Sequence, residues 1–341
     1  LELTLTGKDC GQEERAPMCG VPFHAAETYI NRLVAAGHKV AICEQMEDPK
    51  QAKGIVKREV IKVVTPGTNI NTLGLDETKN NYMMSIVYLG DNLGVSIADY
   101  STGDFFVTEL AGGSELIDEL NKFAPSEIIT NEYFAMSGIN LEAVNAKLGI
   151  TMSTLDNWYF NEETCRNRLL EHFHLEMLDG LGVKDYTVGI IAAGALLTYL
   201  YETQKSTMPH ITTLIRPYAA EKYMLIDSSS RRNLELVETM REKQKKGSLL
   251  WVLDKTKTAM GARMLRSYIE QPLINKDEII RRQDAIEELN DCMIDREELR
   301  EYLNPVYDME RIMTKISCKT ANPRDLIAFR NTLEMIPHIK N

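Results

Sequence analysis

Paired cysteines, long apolar runs and phosphate-binding loops are all missing from this sequence of 341 residues. The six cysteines form no Cys-x-x-Cys pair, so they predict neither a zinc site nor a disulfide framework. No apolar run approaches the roughly 20 residues that a membrane-spanning helix requires. No Gly-x-x-x-x-Gly-Lys-Ser/Thr loop occurs, so we expect no ATP hydrolysis by this chain. These absences predict a protein of a reducing cytoplasm with no metal or cofactor of its own.

A net positive charge, which is common in nucleic-acid-binding proteins, is also missing. The formal net charge is −11, and the acidity is uneven along the chain. Residues 1–70 are balanced, residues 71–190 carry a net charge of −13, and residues 191–341 carry +2. An acidic segment repels phosphates. The middle segment is therefore predicted to contact protein or to act as a spacer.

The hydrophobic pattern and the turn residues divide the chain into three predicted domains. Residues 1–75 predict a mixed α/β domain, with a helix over 25–36, strands over 38–44 and 56–64, and a turn at 65–68. Residues 76–188 predict three antiparallel strands followed by helix, strand and helix, which is a ribonuclease H-like α/β order. Residues 189–341 predict an all-α domain that opens with helices over 190–204 and 231–245.

Separated motifs along the chain resemble the MutS family of DNA mismatch-repair proteins. The order and spacing of these motifs are those of the family, and the resemblance covers nearly the whole chain. They are Met-x-Gly-Val-Pro-Phe-His-Ala (18–25), Ala-Ile-Cys-Glu-Gln (41–45), Val-Thr-Pro-Gly-Thr (64–68), and the stretches 227–236, 261–273, 282–289, 307–312 and 324–326.

The resemblance implies a mismatch-binding domain, a connector domain and the first part of a core or lever domain. The family reads mismatches with a Phe-x-Glu motif that lies upstream of the position of Leu1, so we expect a fragment without the reader. The ATPase and the DNA clamp of the family belong after Asn341. ATP and Mg²⁺ are therefore expected only for the intact protein. The resemblance also implies that the protein is found in the bacterial cytoplasm, in association with the nucleoid.

The resemblance also assigns roles in the first domain. Lys8 and Lys62 match positions from which the family contacts the DNA backbone, and a lysine contacts phosphate without reading sequence. Pro22, Phe23 and His24 are expected to support the missing reader from behind. Phe23 itself is expected in the core, because large aromatic side chains are usually buried.

Protein contacts are implied further along the chain. The family docks its MutL partner on the connector, and the matching helix surface here lies near Asn167 and Arg168. Arg231 and Arg232 match the neighbourhood that couples the lever, the connector and the ATPase. The implied partners are duplex DNA with mismatches or small loops, a second subunit and MutL.

Two other functions remain open. A ribonuclease H-like nuclease needs carboxylates that converge on two metal ions, one of them from the first strand. Residues 82–89 contain no acid, and Asp99 and Asp104 flank a turn, where acids are common for capping reasons. The second alternative is a protein-interaction module that never contacts DNA.

Overall fold

The computed structural model describes residues 1–340 apart from positions 10, 12–14, 49, 51–53, 71–73, 142–144, 147, 184, 213–215 and 218–222. Three parts are distinguished here. The first unit comprises residues 1–70, the sheet unit comprises residues 76–217, and the helical unit comprises residues 223–340. Among the described helices, none is both long enough and apolar enough to cross a membrane.

The described residues of the first unit form two separate antiparallel hairpins and one α-helix, and they bury little core. Its hairpins pair β1 with β2 and β3 with β4, and the predicted helix and strands are confirmed. Only Val34, Val64 and Ile70 are buried hydrophobic residues in the described part of this unit. The elements are β1 Thr6–Lys8, β2 Ala16–Met18, α1 Ala26–Ala35, β3 Val40–Gln45 and β4 Arg58–Val64.

The end of α1 illustrates how the local sequence determines the chain path. Gly37 has φ +84°, a left-handed conformation that glycine adopts without steric cost. The amides of Gly37 and His38 then donate to the carbonyl groups of Val34 and Leu33, at 2.9 and 3.0 Å. These two bonds satisfy carbonyls at the end of the helix, as a left-handed cap should.

A six-stranded mixed sheet forms the centre of the sheet unit. Its strand order is β10-β7-β6-β5-β8-β9. Strands β5, β6 and β7 are antiparallel neighbours, which confirms the predicted meander, whereas β8, β9 and β10 join by parallel pairing. The strands are β5 Met83–Leu89, β6 Asn92–Asp99, β7 Asp104–Leu110, β8 Glu127–Thr130, β9 Thr151–Thr154 and β10 Arg216–Pro217.

Helices cover both faces of this sheet. Helix α2 (Gly113–Phe123) packs on one face, while α3 (Glu162–Phe173) and α4 (Val188–Gln204) pack on the other. Residues 190–204, which were predicted to open the all-α domain, lie in a helix that packs on the sheet. Nearly every residue of α4 is buried, and a helix that is apolar all round belongs inside a core.

Gly94 in β6 explains how closely α4 approaches the sheet. A Cβ atom at Gly94 would lie 2.3 Å from the carbonyl carbon of Val188, at the start of α4. Only glycine lets the backbone of the helix come so near to the strand. The helix is therefore fixed to the sheet at its first turn, and it is continuous with the core of the sheet unit.

Helices make up the regular structure of the helical unit. Six of them begin at a side chain that accepts a backbone N–H bond, namely Asp227, Ser248, Thr258, Asn275, Asp308 and Asn322. The helices are α5 Ser228–Asn233, α6 Leu249–Leu253, α7 Ala259–Glu270, α8 Lys276–Asp291, α9 Met293–Leu303, α10 Met309–Ser317 and α11 Pro323–Lys340.

The predicted helix over 231–245 is wrong beyond Asn233. Glu235 and Lys243 adopt φ values of +48° and +50°, which interrupt a right-handed helix. The amide of Leu249 instead donates to the carbonyl of Glu235 at 3.0 Å, so the segment folds back on the start of α6. Side-chain spacing alone suggested a continuous helix, and tertiary hydrogen bonding decided otherwise.

Candidate functional site

The two lysines expected to contact DNA occupy different environments. Lys8 ends β1 and is exposed, whereas Lys62 lies in β4 and is half-buried. They belong to separate two-stranded sheets. Lys8 is thus free to meet a phosphate at the surface, while the surroundings of Lys62 are those of a cleft.

Lys62 lies in a cleft of about 500 Å³ between the first unit and the helical unit. Glu27 of α1 and Arg324 of α11 line the same cleft. Burial lowers the pKa of Lys62, and the negative charge of the nearby Glu27 carboxylate offsets only part of this shift. Lys62 is therefore not an ordinary solvated lysine at the end of a strand.

The expectation that Phe23 belongs to the core is wrong. Its side chain is 91% exposed, and Pro22 and His24 beside it are also exposed. The three residues lie at a short 3₁₀ turn, Phe23–Ala25, which precedes α1. Because the sparse core of the first unit does not reach this turn, the aromatic ring projects into solvent. Pro22, Phe23 and His24 together form a surface, as a supporting role for another element would require.

The Thr-Pro-Gly-Thr motif forms a buried turn that joins the first unit to the sheet unit. Thr65 and Thr68 cap each other, since the Thr65 amide donates to Thr68 Oγ1 at 2.9 Å. The Gly67 amide then donates to Glu127 Oε2 at 3.1 Å. A Cβ atom at Gly67 would lie 2.6 Å from Met83 Cβ, so the turn docks closely on the sheet.

Glu127, which is fully buried at the start of β8, is the centre of this junction. Its Oε1 accepts a 2.7 Å hydrogen bond from Tyr199 Oη, and Lys39 Nζ lies 3.4 Å from the same oxygen. Lys39 also donates to Tyr199 Oη at 2.9 Å. Burial and the Glu127 carboxylate raise the pKa of Tyr199 well above its ordinary value, so the phenol keeps its proton. One carboxylate thus connects two elements of the first unit with α4.

The proposed partner surface near Asn167 and Arg168 lies on α3. Asn167 is exposed, and Arg168 is half-buried with its guanidinium 4.9 Å from the centre of the Tyr201 ring. Arg168 Nη1 also lies 3.5 Å from Glu171 Oε2. An arginine that stacks on an aromatic ring is held in place. Asn167 is therefore the more accessible of the two residues.

Arg231 and Arg232 differ in what they contact. Arg231 donates to the Glu270 carbonyl at 3.2 Å and lies 3.6 Å from the Glu270 carboxylate, whereas Arg232 is exposed. Asp118 of α2 accepts from the Ser228 amide at 3.2 Å, one turn before Arg231. The start of α5 therefore contacts the sheet unit.

A buried charge cluster surrounds this contact. Lys122 and Glu119 of α2 lie 3.6 Å apart, and Arg266 of α7 lies 3.6 Å from Glu270. Burial lowers the pKa of Lys122 to about 8 and raises the pKa of both Glu119 and Glu270. Charges of both signs from two units therefore share a poorly solvated site, and Arg231 belongs to it.

The two acids weighed for a nuclease serve the turn between β6 and β7. Asp99 is fully buried and accepts from the Ser101 amide at 2.8 Å and the Asn81 amide at 3.1 Å. Asp104 accepts from Thr102 Oγ1 at 3.0 Å. Within the described ranges, no group of three or more His, Cys, Asp or Glu residues is placed to hold a metal ion. The geometry of these acids is that of a structural turn.

Two buried arginines of the helical unit were not anticipated from the sequence. Arg263 of α7 and Arg311 of α10 lie within the motif stretches 261–273 and 307–312, and both contact residues 76–79. In the sequence, these two arginines were distinguished only by lying within stretches that resemble the MutS family.

Comparison with known families matches three consecutive segments of the chain. Residues 1–72 match the model of MutS domain I, residues 81–212 match MutS domain II, and residues 229–341 match MutS domain III. The domain II segment includes all of α4. The comparison thus agrees with the packing of α4 on the sheet, and it defines a multidomain chain with mixed α/β and helical parts.

Curated relatives match the chain over its full length. A DNA mismatch repair protein MutS of Lachnoclostridium phytofermentans is 62% identical over 340 residues, which is 100% of this chain and 36% of that protein. Those of Ruminiclostridium cellulolyticum and Acetivibrio thermocellus are 52% and 48% identical, again over 100% of this chain and over 39% of each relative. The chain therefore spans little more than a third of the length of these relatives. It belongs to the MutS family of DNA mismatch repair proteins.

Proposed function

We propose that this chain acts in DNA mismatch recognition. It would carry backbone contacts in its first unit and connect them, through the sheet unit, to the helical unit. The observation that carries the proposal is the match of all three units, in order, to MutS domains I, II and III. The buried junction at Glu127 supports the connecting role, because it fixes the first unit on the sheet unit.

For the fold, the proposal assigns a mismatch-binding domain, a ribonuclease H-like connector and a core or lever segment. The strand order supports the connector assignment, since β7-β6-β5 are antiparallel and β8 and β9 are parallel to β5. We extend the connector from its expected limits of 76–188 to include α4. The first and third domains then cover residues 1–75 and the helical unit.

For DNA contact, the proposal favours Lys8 over Lys62. Lys8 is exposed, whereas Lys62 lies within a cleft and would reach a phosphate only if the backbone entered that cleft. The sheet unit repels phosphate, because residues 71–190 carry a net charge of −13. Contacts with DNA are therefore expected from outside the sheet unit.

For the intact protein, the proposal includes a second MutS subunit and a MutL partner, with Asn167 and Arg168 near the MutL contact. ATP and Mg²⁺ would act in a part of the protein outside residues 1–341. The cytoplasm of a bacterium, near the nucleoid, is the proposed location. Phe23, exposed between Pro22 and His24, would lie against the element that reads the mismatch.

Fluorescence anisotropy of residues 1–341 with labelled duplex, measured at several salt concentrations, tests DNA contact. We expect weak binding that falls steeply with salt and does not distinguish matched from mismatched duplex, because phosphate contacts carry no base information. Lys8→Ala should reduce the slope of log affinity against log salt by about 1. Lys276→Ala, at an exposed lysine of the helical unit, is the control.

Two outcomes would overturn parts of this proposal. A tenfold preference for mismatched duplex would contradict the assignment of specificity to a reader outside these residues. No binding at low salt would favour the second candidate function, an interaction module without DNA contact. The charge of −13 over residues 71–190 is the observation that keeps this candidate open.

A further inference from the structure

Residues 76–79, which begin the sheet unit on the side of the first unit and which we call the linker, are bound by the helical unit. Arg311 Nη1 donates to the Asp76 carbonyl at 3.3 Å, and Arg311 Nη2 donates to the Lys79 carbonyl at 2.6 Å. Arg263 Nη1 donates to the Glu77 carbonyl at 2.9 Å. Two side chains from distant positions in the sequence therefore bind three backbone carbonyl groups in one short segment.

Arg311 also binds the turn between β6 and β7. Its Nε donates to Ser101 Oγ at 3.2 Å, and Thr314, one turn later in α10, donates to the Ser101 carbonyl at 2.9 Å. Asp99 in turn accepts from the amides of Ser101 and Asn81. The linker and this turn are thus held together from within the sheet unit and are both bound by α10.

Carboxylates of the helical unit hold the guanidinium groups in position. Arg263 makes two parallel bonds to Asp308, at 2.6 and 2.8 Å, and a third to Glu310 at 2.6 Å. The side chains of Arg263 and Arg311 are 4% and 3% exposed. A planar guanidinium with several fixed donors is suited to this geometry, and a lysine ammonium is not. The cluster is therefore preorganised for backbone carbonyl groups.

The cluster of Arg263 and Arg311 differs from an ordinary ion-pair network because its acceptors in the linker are backbone carbonyl groups. An ion pair between units would involve the charged side chains of Asp76, Glu77 or Lys79, but Asp76 and Lys79 pair with each other at 3.7 Å. The arginines instead bind the main chain of these residues. Main-chain contacts define the path of the linker directly, and Asn81 just beyond it donates to the Pro66 carbonyl next to the first unit's last strand at 2.9 Å.

We propose that Arg263 and Arg311 are positioning residues, which hold the first unit at a fixed place relative to the helical unit by binding the linker backbone. A displacement of α10 then moves the linker and the Ser101 turn together. This inference deepens the proposed function, since it names the contact through which the helical unit sets the place of the DNA-contacting unit. The contact of the two arginines with the linker is a property of the fold, so it is tested without DNA.

Distance measurement between spin labels tests the positioning role. Cys43 in β3 and Cys292 after α8 are both exposed and serve as label sites, with the other accessible cysteines changed to serine. We expect Arg311→Lys to broaden the distance distribution at least twofold while the melting temperature changes by only a few degrees. Arg330→Lys, at an arginine that is 67% exposed, is the control and should leave the distribution unchanged.

Hydrogen exchange provides a second and independent measurement. Thr314→Val keeps the shape of the side chain and removes its bond to the Ser101 carbonyl, together with a 3.2 Å bond to the Glu310 carbonyl within α10, so the variant should fold. We expect amide exchange at residues 80–81 and 101–103 to become several-fold faster in Thr314→Val and at least tenfold faster in Arg311→Lys. Exchange within α4 should stay unchanged.

An unaltered distance distribution in Arg311→Lys, together with unaltered exchange at the linker, would overturn the proposal. Faster exchange throughout the chain, α4 included, would also overturn it, because the arginines would then serve general stability. Neither result would change the measured DNA binding of the chain. Failure of the proposed positioning role can therefore be told apart from failure of the proposed function.

Discussion

The first unit and the sheet unit differ in where their stability comes from. The sheet unit buries large side chains such as Phe105, Leu116 and Leu196 between a sheet and helices on both of its faces. The described part of the first unit buries only Val34, Val64 and Ile70 among its hydrophobic residues. Burial of apolar area is the main source of stability. The first unit therefore depends on its junction with the sheet unit.

This difference gives weight to the polar contacts at the junction of the two units. Glu127 joins Lys39, Gly67 and Tyr199 where the first unit meets the sheet unit. A buried carboxylate is stable only when it is paired and hydrogen-bonded, and here each oxygen has a partner. The small unit is thus positioned by a few directional bonds, whereas the large unit is stabilised by packing.

Truncation of one phenylalanine in each unit gives the largest expected contrast. Phe105→Ala should lower the free energy of unfolding by about 3–5 kcal/mol, because it empties a fully buried site. Phe23→Ala should change it by less than about 0.5 kcal/mol, because that ring is exposed. Urea denaturation measures both. Similar losses for the two variants would contradict the contrast between the units.

Glu127→Gln should weaken the junction rather than the sheet unit. Hydrogen bonds to a charged group contribute about 1.5–3 kcal/mol, and the amide loses the charge that pairs with Lys39. We expect the amides of Gly67 and Thr68 to exchange faster while those of β5 keep their protection. Glu298→Gln, at an exposed site in α9, is the matched control. Equal loss of protection in β5 would show that Glu127 supports the whole sheet.

Acidification should weaken the contact of the sheet unit with the helical unit through His210. His210 Nε2 lies 3.0 Å from the Tyr100 carbonyl oxygen, and Nδ1 lies 4.0 Å from Cys318 Sγ. Burial lowers the pKa of His210 to about 4, and repulsion by His172 acts in the same direction, while the bond to Tyr100 and the Asp99 charge oppose it. The unfolded chain therefore binds a proton at His210 below a pH of about 6.5, whereas the folded chain binds it only at a lower pH.

The sign of this effect follows from proton binding. Between a pH of about 6.5 and 4 the unfolded state binds more protons, so the free energy of unfolding falls as the pH falls, by at most about 1.4 kcal/mol per unit. Above a pH of about 6.5, protonation of His210 should not affect the free energy of unfolding. Urea denaturation from pH 7.5 to 4.5 measures the slope, and His210→Asn should reduce it. An unchanged slope in that variant would assign the pH dependence to other groups.

Local structure was largely predictable from the sequence. The glycine at position 37, the alternating strands of the meander and the helix-capping residues act over a few positions, so the sequence shows them directly. The burial of α4 against the sheet depends on residues about a hundred positions away, such as Gly94. A helix with apolar residues on every side predicts burial, but it does not predict the partner that buries it.

The candidate site was less predictable for the same reason. Lys8 and Lys62 were found through motif position, and that position does not reveal that one lysine is exposed and the other lies in a cleft. Phe23 was expected inside because aromatic residues usually are, yet its unit has too little core to cover it. Arg263 and Arg311 bind backbone carbonyl groups, which every residue carries. The contact therefore could not be predicted from the side chains of the linker.

Binding through the main chain also limits how the linker can change. Because the arginines bind carbonyl oxygens, substitutions of Asp76, Glu77 or Lys79 leave the acceptors in place. An insertion or deletion there shifts every acceptor away from its donor at once. The linker should therefore tolerate almost any side chain over evolutionary time, while its length stays constant.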